Sequence, residues 1–313
     1  MFNLSGRGDS LFLSWWMRRF GEGISAVAIL SLSATHVGAE SIDGRTAPVR
    51  RIMVGTPGAD GTAPKAGTSG PAVDLGLGGT VTAPQPDRPA VELSSTGGKG
   101  GGITFTDFVT MSGGAGGPGG EVTYRHNGSV EASTTAPTKG VPLIWLLSAG
   151  GVGGNGPGTG NGRLSRSGAG GAGGGVSATI NKDLGTTAAN NAAIRATSQG
   201  GDAGGAMGDS IYPWNGSGGA GGTGGKAAVT IDGKASVTTL GHNAPAVVVE
   251  SLGGNGSRLL TRAPGGGGAG GGSLGNTLAD PAVRFVNRGW VSTEGDHAVA
   301  VVLQSIGGNG GGS

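Results

Sequence analysis

The stretch AVVVESLGGNG, Ala246 to Gly256, returns almost unchanged as AVVLQSIGGNG, Ala300 to Gly310. In both, a β-prone run closes on a serine and enters a glycine segment. Weaker copies of the junction are LLSAGG around Ser148 and ATSQGG around Ser198. The serine spacings are 198−148 = 50, 251−198 = 53 and 305−251 = 54. A glycine block precedes each unit, at 112–120, 168–175, 218–225 and 265–272. Self-similarity at a nearly fixed period marks a repeat architecture, in which each unit buries its apolar face only against its neighbours. One strand running into a glycine loop could start a nucleotide site. The same junction in series points to scaffolding.

The clearest unit, AAVTIDGKASVTTLGHNAPAVVVESLGG, divides into three short β-prone runs. Val229–Ile231 is followed by a turn at Asp232-Gly233-Lys234, then Ala235–Thr239, a turn over Leu240–Pro245, and Ala246–Ser251. Asp-Gly and Asn/Pro clusters are turn chemistry, while Val, Ile and Thr favour strands. Three strands and three corners in some two dozen residues predict one rung of a right-handed parallel β-helix, or β-solenoid, with glycine-rich loops between rungs. Period-2 alternation puts Val247, Val249 and Ser251 on one face, with Val301, Leu303 and Ser305 and Ile194, Ala196 and Ser198 as their counterparts. With Val229, Ile231 and Val237 these form the expected core of the repeats. The opposite face is mixed and expected to meet solvent. In the first unit it carries Trp145 and Leu147, expected to pack under the N-terminal arm or a glycine loop.

Glycine supplies 74 of the 313 residues, against a usual share of roughly 7%. It brings no side chain to a core and loses the most backbone entropy on ordering. Two or three Val or Leu side chains per rung cannot offset the ordering of the whole rung, so stability has to come from stacking. Residues 40–91, rich in Pro, Gly, Thr and Ala, read as a linker or disordered arm. The repeats are expected over 92–313. The chain stops at Ser313 inside a glycine segment, which would leave strand edges open, so the sequence is expected to be truncated there.

Met17-Arg18-Arg19 precedes the apolar run Ile24–Ala34 and the small-residue end Val37-Gly38-Ala39. Basic start, short apolar run and small-residue end describe a secretory signal peptide over 1–39, with Met17 a possible true start and cleavage between Ala39 and Glu40. The run is too short for a membrane span. There is no Cys, which suits a chain that crosses a membrane unfolded. SGRGDS, Ser5–Ser10, and the overlapping GDSL resemble an integrin ligand and a lipase nucleophile block. Both lie upstream of the export signal, and no Asp-x-x-His partner accompanies the second.

Function classes that depend on local chemistry find little support. From Glu40 onward there are 18 Lys+Arg and 17 Asp+Glu, a balance of +1 with no basic stripe, so no nucleic-acid partner is expected. GGTGGKAA, Gly221–Ala228, lacks the hydroxyl residue a phosphate loop needs after its Lys, since Lys226 is followed by Ala227. Asp202 and Asp209 do not match the nine-residue spacing of calcium-binding glycine repeats. His126, His242 and His297 fall in different repeats, at turns between strands. Asp296-His297 lacks a nucleophile turn, and Glu121, Glu131, Glu250 and Glu294 are scattered. No catalytic residue, cofactor or metal is expected.

The units AVVVESLGGNG and AVVLQSIGGNG resemble the A-x-x-x-Q-S-I-G-G-G-G-G repeats of Gram-negative autotransporter passengers. The resemblance spans about 92–313. It implies a cysteine-poor β-helix exported to the cell surface or beyond, ordinarily fused to a C-terminal outer-membrane barrel, which is not part of this sequence. It also implies adhesion to a host surface, a matrix component or neighbouring cells. A second expectation is a low-complexity wall or matrix protein resembling the mycobacterial glycine-rich surface proteins. A third is a β-helical enzyme acting on polysaccharides.

Overall fold

The structure, a computed structural model, describes residues 40–42, 49–60, 64–82, 88–103, 111–131, 140–156, 165–205, 218–257 and 280–311. The segment expected to be removed, up to Ala39 and including Met17, lies outside the described residues, as does Asp209. The described chain is all-β, without a helix, and its sheets are parallel.

One six-stranded sheet stacks β1 (Glu40–Ile42), β3 (Val73–Leu77), β7 (Val122–His126), β11 (Val176–Ile180), β14 (Ala227–Ile231) and β17 (Val283–Asn287) in that order. A second stacks β2 (Val49–Val54), β5 (Val91–Thr96), β9 (Ile144–Ala149), β13 (Ile194–Gln199), β16 (Val247–Leu252) and β19 (Val301–Ile306). Between them along the chain run the short pair β4 (Thr80–Thr82) and β8 (Ser129–Glu131), then β12 (Leu184–Thr186), β15 (Ser236–Thr239) and β18 (Trp290–Thr293). The strands β6 (Met111–Ser112) and β10 (Ser165–Arg166) pair with each other. Each strand therefore bonds to its counterpart one repeat away, and neighbours in sequence lie in different sheets.

Register is kept throughout, so like positions form columns. Val91, Ile144, Ile194, Val247 and Val301 are partners in one column, and Leu93, Leu146, Ala196, Val249 and Leu303 in the next. The opposite sheet supplies Val122, Val176 and Ala227, then Leu77, Ile180 and Ile231. Apart from Leu303, these side chains meet in one apolar cluster between the sheets, closed on the third side by Val81, Leu184 and Val237. Ile194, Val229, Ile231, Val237, Val247, Val249 and Ser251 are fully buried. Leu303 is 47% exposed and Ser305 is exposed, with Val301 half-buried, because no described strand stacks on the far side of β19. That edge also shows Ile306 and Trp290 to solvent.

Two expectations change. Residues 40–91, expected as a linker, carry β1 to β4. Gly76 and Gly78-Gly79 dilute the strand signal there, but pairing with β7 in full register supplies what local propensity does not. The outer face of the second sheet is not simply solvated either, since Ser94, Thr197, Val248 and Glu250 are buried and Trp145 and Leu147 half-buried. Glu250 is held there by Arg195, with Nε to Oε2 at 2.9 Å and Nη2 to Oε1 at 3.1 Å, and by the Thr197 hydroxyl at 2.8 Å. The Arg195 side chain is 42% exposed, so solvent screens the pair. Arg195→Ala is expected to cost about 1 kcal/mol, read as a shift of the urea midpoint that shrinks in 1 M salt.

Turns complete each repeat. The corner before the second sheet places Asn190, Asn243 and His297 at φ of 59°, 52° and 57°. Asn tolerates the left-handed region better than most residues, and the Asn at the first two corners is the sequence trace of that geometry. The corner is tied by the Thr239 hydroxyl donating to the Ala244 carbonyl at 2.6 Å.

Candidate functional site

The described glycine segments are not spacers extruded between rungs, as the sequence suggests; the block at 265–272 lies outside the described residues. They form a two-layered slab attached along one side of the stack. One layer follows the second sheet: residues 97–103, 150–156, 200–205 and 253–257. The other precedes the first sheet: residues 113–121, 167–175 and 218–226.

Hydrogen bonds in the slab recur every third residue. Within the first layer Gly97 N–H donates to Ala149 O, Gly100 to Val152 O and Ile103 to Asn155 O, at 2.8–3.2 Å. Within the second, Gly116 donates to Ala169 O, Gly119 to Ala172 O and Val122 to Gly175 O. The next residue along bonds across the layers. Gly114 donates to Gly101 O and Gly117 to Gly98 O; Gly151 donates to Gly117 O, Gly171 to Gly151 O, Gly201 to Gly171 O and Gly222 to Gly201 O. The crossing order is antiparallel, since 114 meets 101 while 117 meets 98. A three-residue period is that of a polyproline II helix, which has no bonds of its own and so offers every backbone group to its neighbours.

Two of every three positions face another segment, and these are glycine for a steric reason. A Cβ on Gly97 would stand 1.9 Å from Gly117 O, and one on Gly154 1.9 Å from Gly101 O. Backbone approach, not left-handed φ, demands glycine in these segments. The third position points outward and takes any side chain: Lys99, Ala115, Pro118, Val152, Asn155, Ala169, Asp202, Ala220 and Asn255 are all exposed, whereas their flanking glycines are mostly buried. Pro is accepted at 118 because that amide is not needed inside the slab. Ser257, standing where earlier repeats have Gly154 and Gly204, accepts a 2.9 Å bond from the buried Ser167 hydroxyl.

The recurring serine joins slab to sheet. Ser95 Oγ donates to Pro71 O at 2.6 Å and accepts from Gly120 N at 3.0 Å. Ser148 donates to Gly120 O and accepts from Gly174 N; Ser198 donates to Gly174 O and accepts from Gly225 N; Ser251 donates to Gly225 O. One hydroxyl thus binds the glycine segment of its own repeat and that of the next.

The two outer faces of the slab differ. One shows columns of small residues: Ala66, Ala115, Ala169 and Ala220, beside Ser69, Pro118, Ala172 and Thr223. The other is polar, with Lys99, Val152, Asp202, Asn255 and Asn309 in one column. There the outward amides are met by side chains of the preceding repeat. Asp202 Oδ1 accepts from Asn255 N at 2.7 Å, Asn255 Oδ1 from Asn309 N at 3.1 Å, and Asn155 Oδ1 from Gly205 N at 3.0 Å. Along a segment the outward positions are about 9 Å apart at ~3.1 Å per residue, and neighbouring segments lie ~4.8 Å apart.

Among the described residues the slab spends its glycine amides on carbonyls and on serine, asparagine and aspartate oxygens, which leaves no cradle of free N–H groups for a phosphate. Lys226 is exposed and pairs with Asp280 at 2.7 Å. Among the described residues no three His or acidic side chains gather as a metal site. Glu121 and Glu294 are exposed and separate, and Glu250 is engaged as above. His242 and His297 meet edge to face, with centroids 5.5 Å apart on the exposed corner.

His126 is placed differently from its expectation. It is the last residue of β7, faces inward and is fully buried, in the column of Leu77, Ile180 and Ile231. Its Nδ1 lies 3.0 Å from the hydroxyl of Tyr124, also fully buried, while Nε2 has no hydrogen-bond partner. Burial pushes the imidazole below its ordinary range, outweighing the Asp183 backbone, which favours the charged form. Burial likewise pushes the Tyr124 phenol up. Asp183 itself is held down by the hydroxyl and N–H of Ser236. An alignment of VTYRH with VSATI and AAVTI would have shown the polar pair at apolar positions.

Against protein-family profiles, curated proteins and solved structures the chain gives no match.

Proposed function

We propose that the chain is an exported, surface-displayed repeat protein: a right-handed parallel β-solenoid serving as the passenger of a Gram-negative autotransporter, with an adhesive or structural role. The observation that carries this reading is the in-register parallel stacking of each repeat on the next. Such a stack lengthens by ~4.8 Å per repeat and projects regular faces away from its base. Its stability is a sum of neighbour contacts, so it can assemble from one end after the chain crosses a membrane unfolded. The absence of cysteine leaves no bridge to form first. Partners would be a host surface, a matrix component or neighbouring cells, met on the slab faces, with an outer-membrane barrel supplied from outside this sequence. Ordered pairing across repeats favours this over a wall protein with little fixed structure.

The test is expression in a Gram-negative host of residues 1–313 fused to an outer-membrane barrel. The expected product begins at Glu40, is cut by protease added to intact cells, and increases their adhesion or settling. A product retained in the cytoplasm and beginning at Met1 or Met17 would overturn export. Display without a change in adhesion or settling would leave only the structural role.

A further inference from the structure

We propose that the buried Tyr124–His126 pair is an acid-triggered break in the stack: when His126 takes up a proton, the β7 repeat opens from its neighbours while later repeats stay paired. The argument begins with the column. Leu77 lies on one side of His126 and Ile180 on the other, with Ile231 beyond. A neutral imidazole survives there because one nitrogen meets the Tyr124 hydroxyl and the other can remain a bare acceptor or a lone N–H. A protonated ring has a donor on both nitrogens and a full charge in a buried site, where the Asp183 backbone favours it but burial outweighs that gain.

Among the described residues no carboxylate is placed to receive that charge. On β3, Asp74 faces outward and bonds Arg125 of β7 at 2.8 Å. On β5, Glu92 faces outward and bonds Arg50 at 2.7 Å. The strands β9 and β11 carry no ionisable side chain, and the Asp183 carboxylate after β11 is committed to Ser236, with Lys182 beside it. Glu121, before β7, is exposed. Among the described residues the ionisable neighbour on the inward face of β7 is Tyr124, in the next column, which cannot counter a positive charge while its own phenol stays protonated.

Because stability in a stack is a neighbour property, a weak repeat opens locally instead of unfolding the whole. The sign follows from burial. His126 is harder to protonate folded than unfolded, where its pKa is about 6.5. The open state therefore binds more protons below that pH, and opening rises by up to tenfold per pH unit until the folded form also protonates. Carboxylates act later: Asp183 contributes stability above its unfolded value, near 4, and loses it only as pH falls through its lowered folded value.

Amide exchange of the full chain, corrected for the intrinsic rate, tests this at pH 7.5, 6.5, 5.5 and 5.0. In the wild type, protection over 122–126 and its partners 73–77 and 176–180 should fall by up to tenfold per unit below about pH 6.5. Protection over 227–231 should be nearly constant. His126→Leu should abolish the pH dependence, whereas Tyr124→Phe should keep it and raise opening at every pH. An NMR titration of the His126 ring in the wild type gives a readout that needs no variant. Titration near the unfolded value without any loss of protection would overturn the proposal, as would an unchanged pH response in His126→Leu.

Discussion

Gly171→Ala is expected to cost about 3–5 kcal/mol, enough to disrupt the second glycine layer and its bonds to the first, although local conformation alone predicts a gain. The Gly171 backbone is not left-handed. Alanine at such a site ordinarily stabilises by about 0.4–1 kcal/mol, because the unfolded chain has less freedom to lose. Contacts reverse the sign. The new Cβ would stand 2.0 Å from Gly117 O and 2.5 Å from Gly117 C, and these are backbone atoms with no rotamer to change. Gly117 lies one repeat away in the same layer, and relief requires Gly171 to move off it, which disrupts its bonds to the other layer, from Gly171 N to Gly151 O and from Gly201 N to Gly171 O, both 2.8 Å. Overpacking costs about 1–3 kcal/mol, and each buried group left unpaired about 1–3 more. Gly175→Ala is the internal control. Its Cβ would meet nothing nearer than Glu121 Cγ at 3.9 Å, so it should be neutral or stabilising by up to about 1 kcal/mol. Urea midpoints of the two variants, measured side by side, decide whether closeness or flexibility explains the glycines. Equal midpoints would reject the slab.

The strands were legible because their chemistry is local. Period-2 alternation of β-branched residues identified the inward set Val247, Val249 and Ser251, and turn residues marked the corners. The slab was not legible, because glycine carries no alternation and each of its bonds goes to a segment of another stretch of sequence. Its rule is nonetheless written there: GGVGGN at 150–155 and GGAGGTGG at 218–225 keep two glycines for each outward residue. Read as spacing between side chains, not as bulk composition, that triplet predicts a three-fold helix packed on two sides. The first repeats were missed for a related reason. VDLGL, the sequence of β3, is weak alone, and its pairing is set by Tyr124 and Val122 one repeat later. The edge residues Leu303 and Ser305 occupy the predicted face, but burial there depends on a further stacked strand and not on the face itself.

Ser198→Ala is expected to cost about 2–4 kcal/mol, more than the removal of one hydroxyl suggests. Ser198 is fully buried. Its Oγ donates to Gly174 O at 2.7 Å and accepts from Gly225 N at 2.8 Å. Deleting it strands an acceptor in one repeat and a donor in the next, at about 1–3 kcal/mol for each unsatisfied group. Water cannot readily substitute, because the site is filled: a Cβ on Gly173 would stand 2.5 Å from the same Oγ. That contact also bars a larger residue, so Ser198→Val should fare worse than alanine by overpacking. The coupling to Ser148 is the sharper measurement. Ser148 Oγ accepts from Gly174 N at 2.9 Å, so Gly174 is held by one serine at each of its polar groups. If the serines act as one column, losing either frees Gly174 to shift, and the second loss costs less than the first. A double-mutant cycle of Ser148→Ala and Ser198→Ala should then give a combined cost at least about 0.5 kcal/mol below the sum of the single costs, the size expected for groups sharing a partner. Strict additivity would mean that the serines fill space independently, and the junction that defines the repeat would owe its recurrence to size alone.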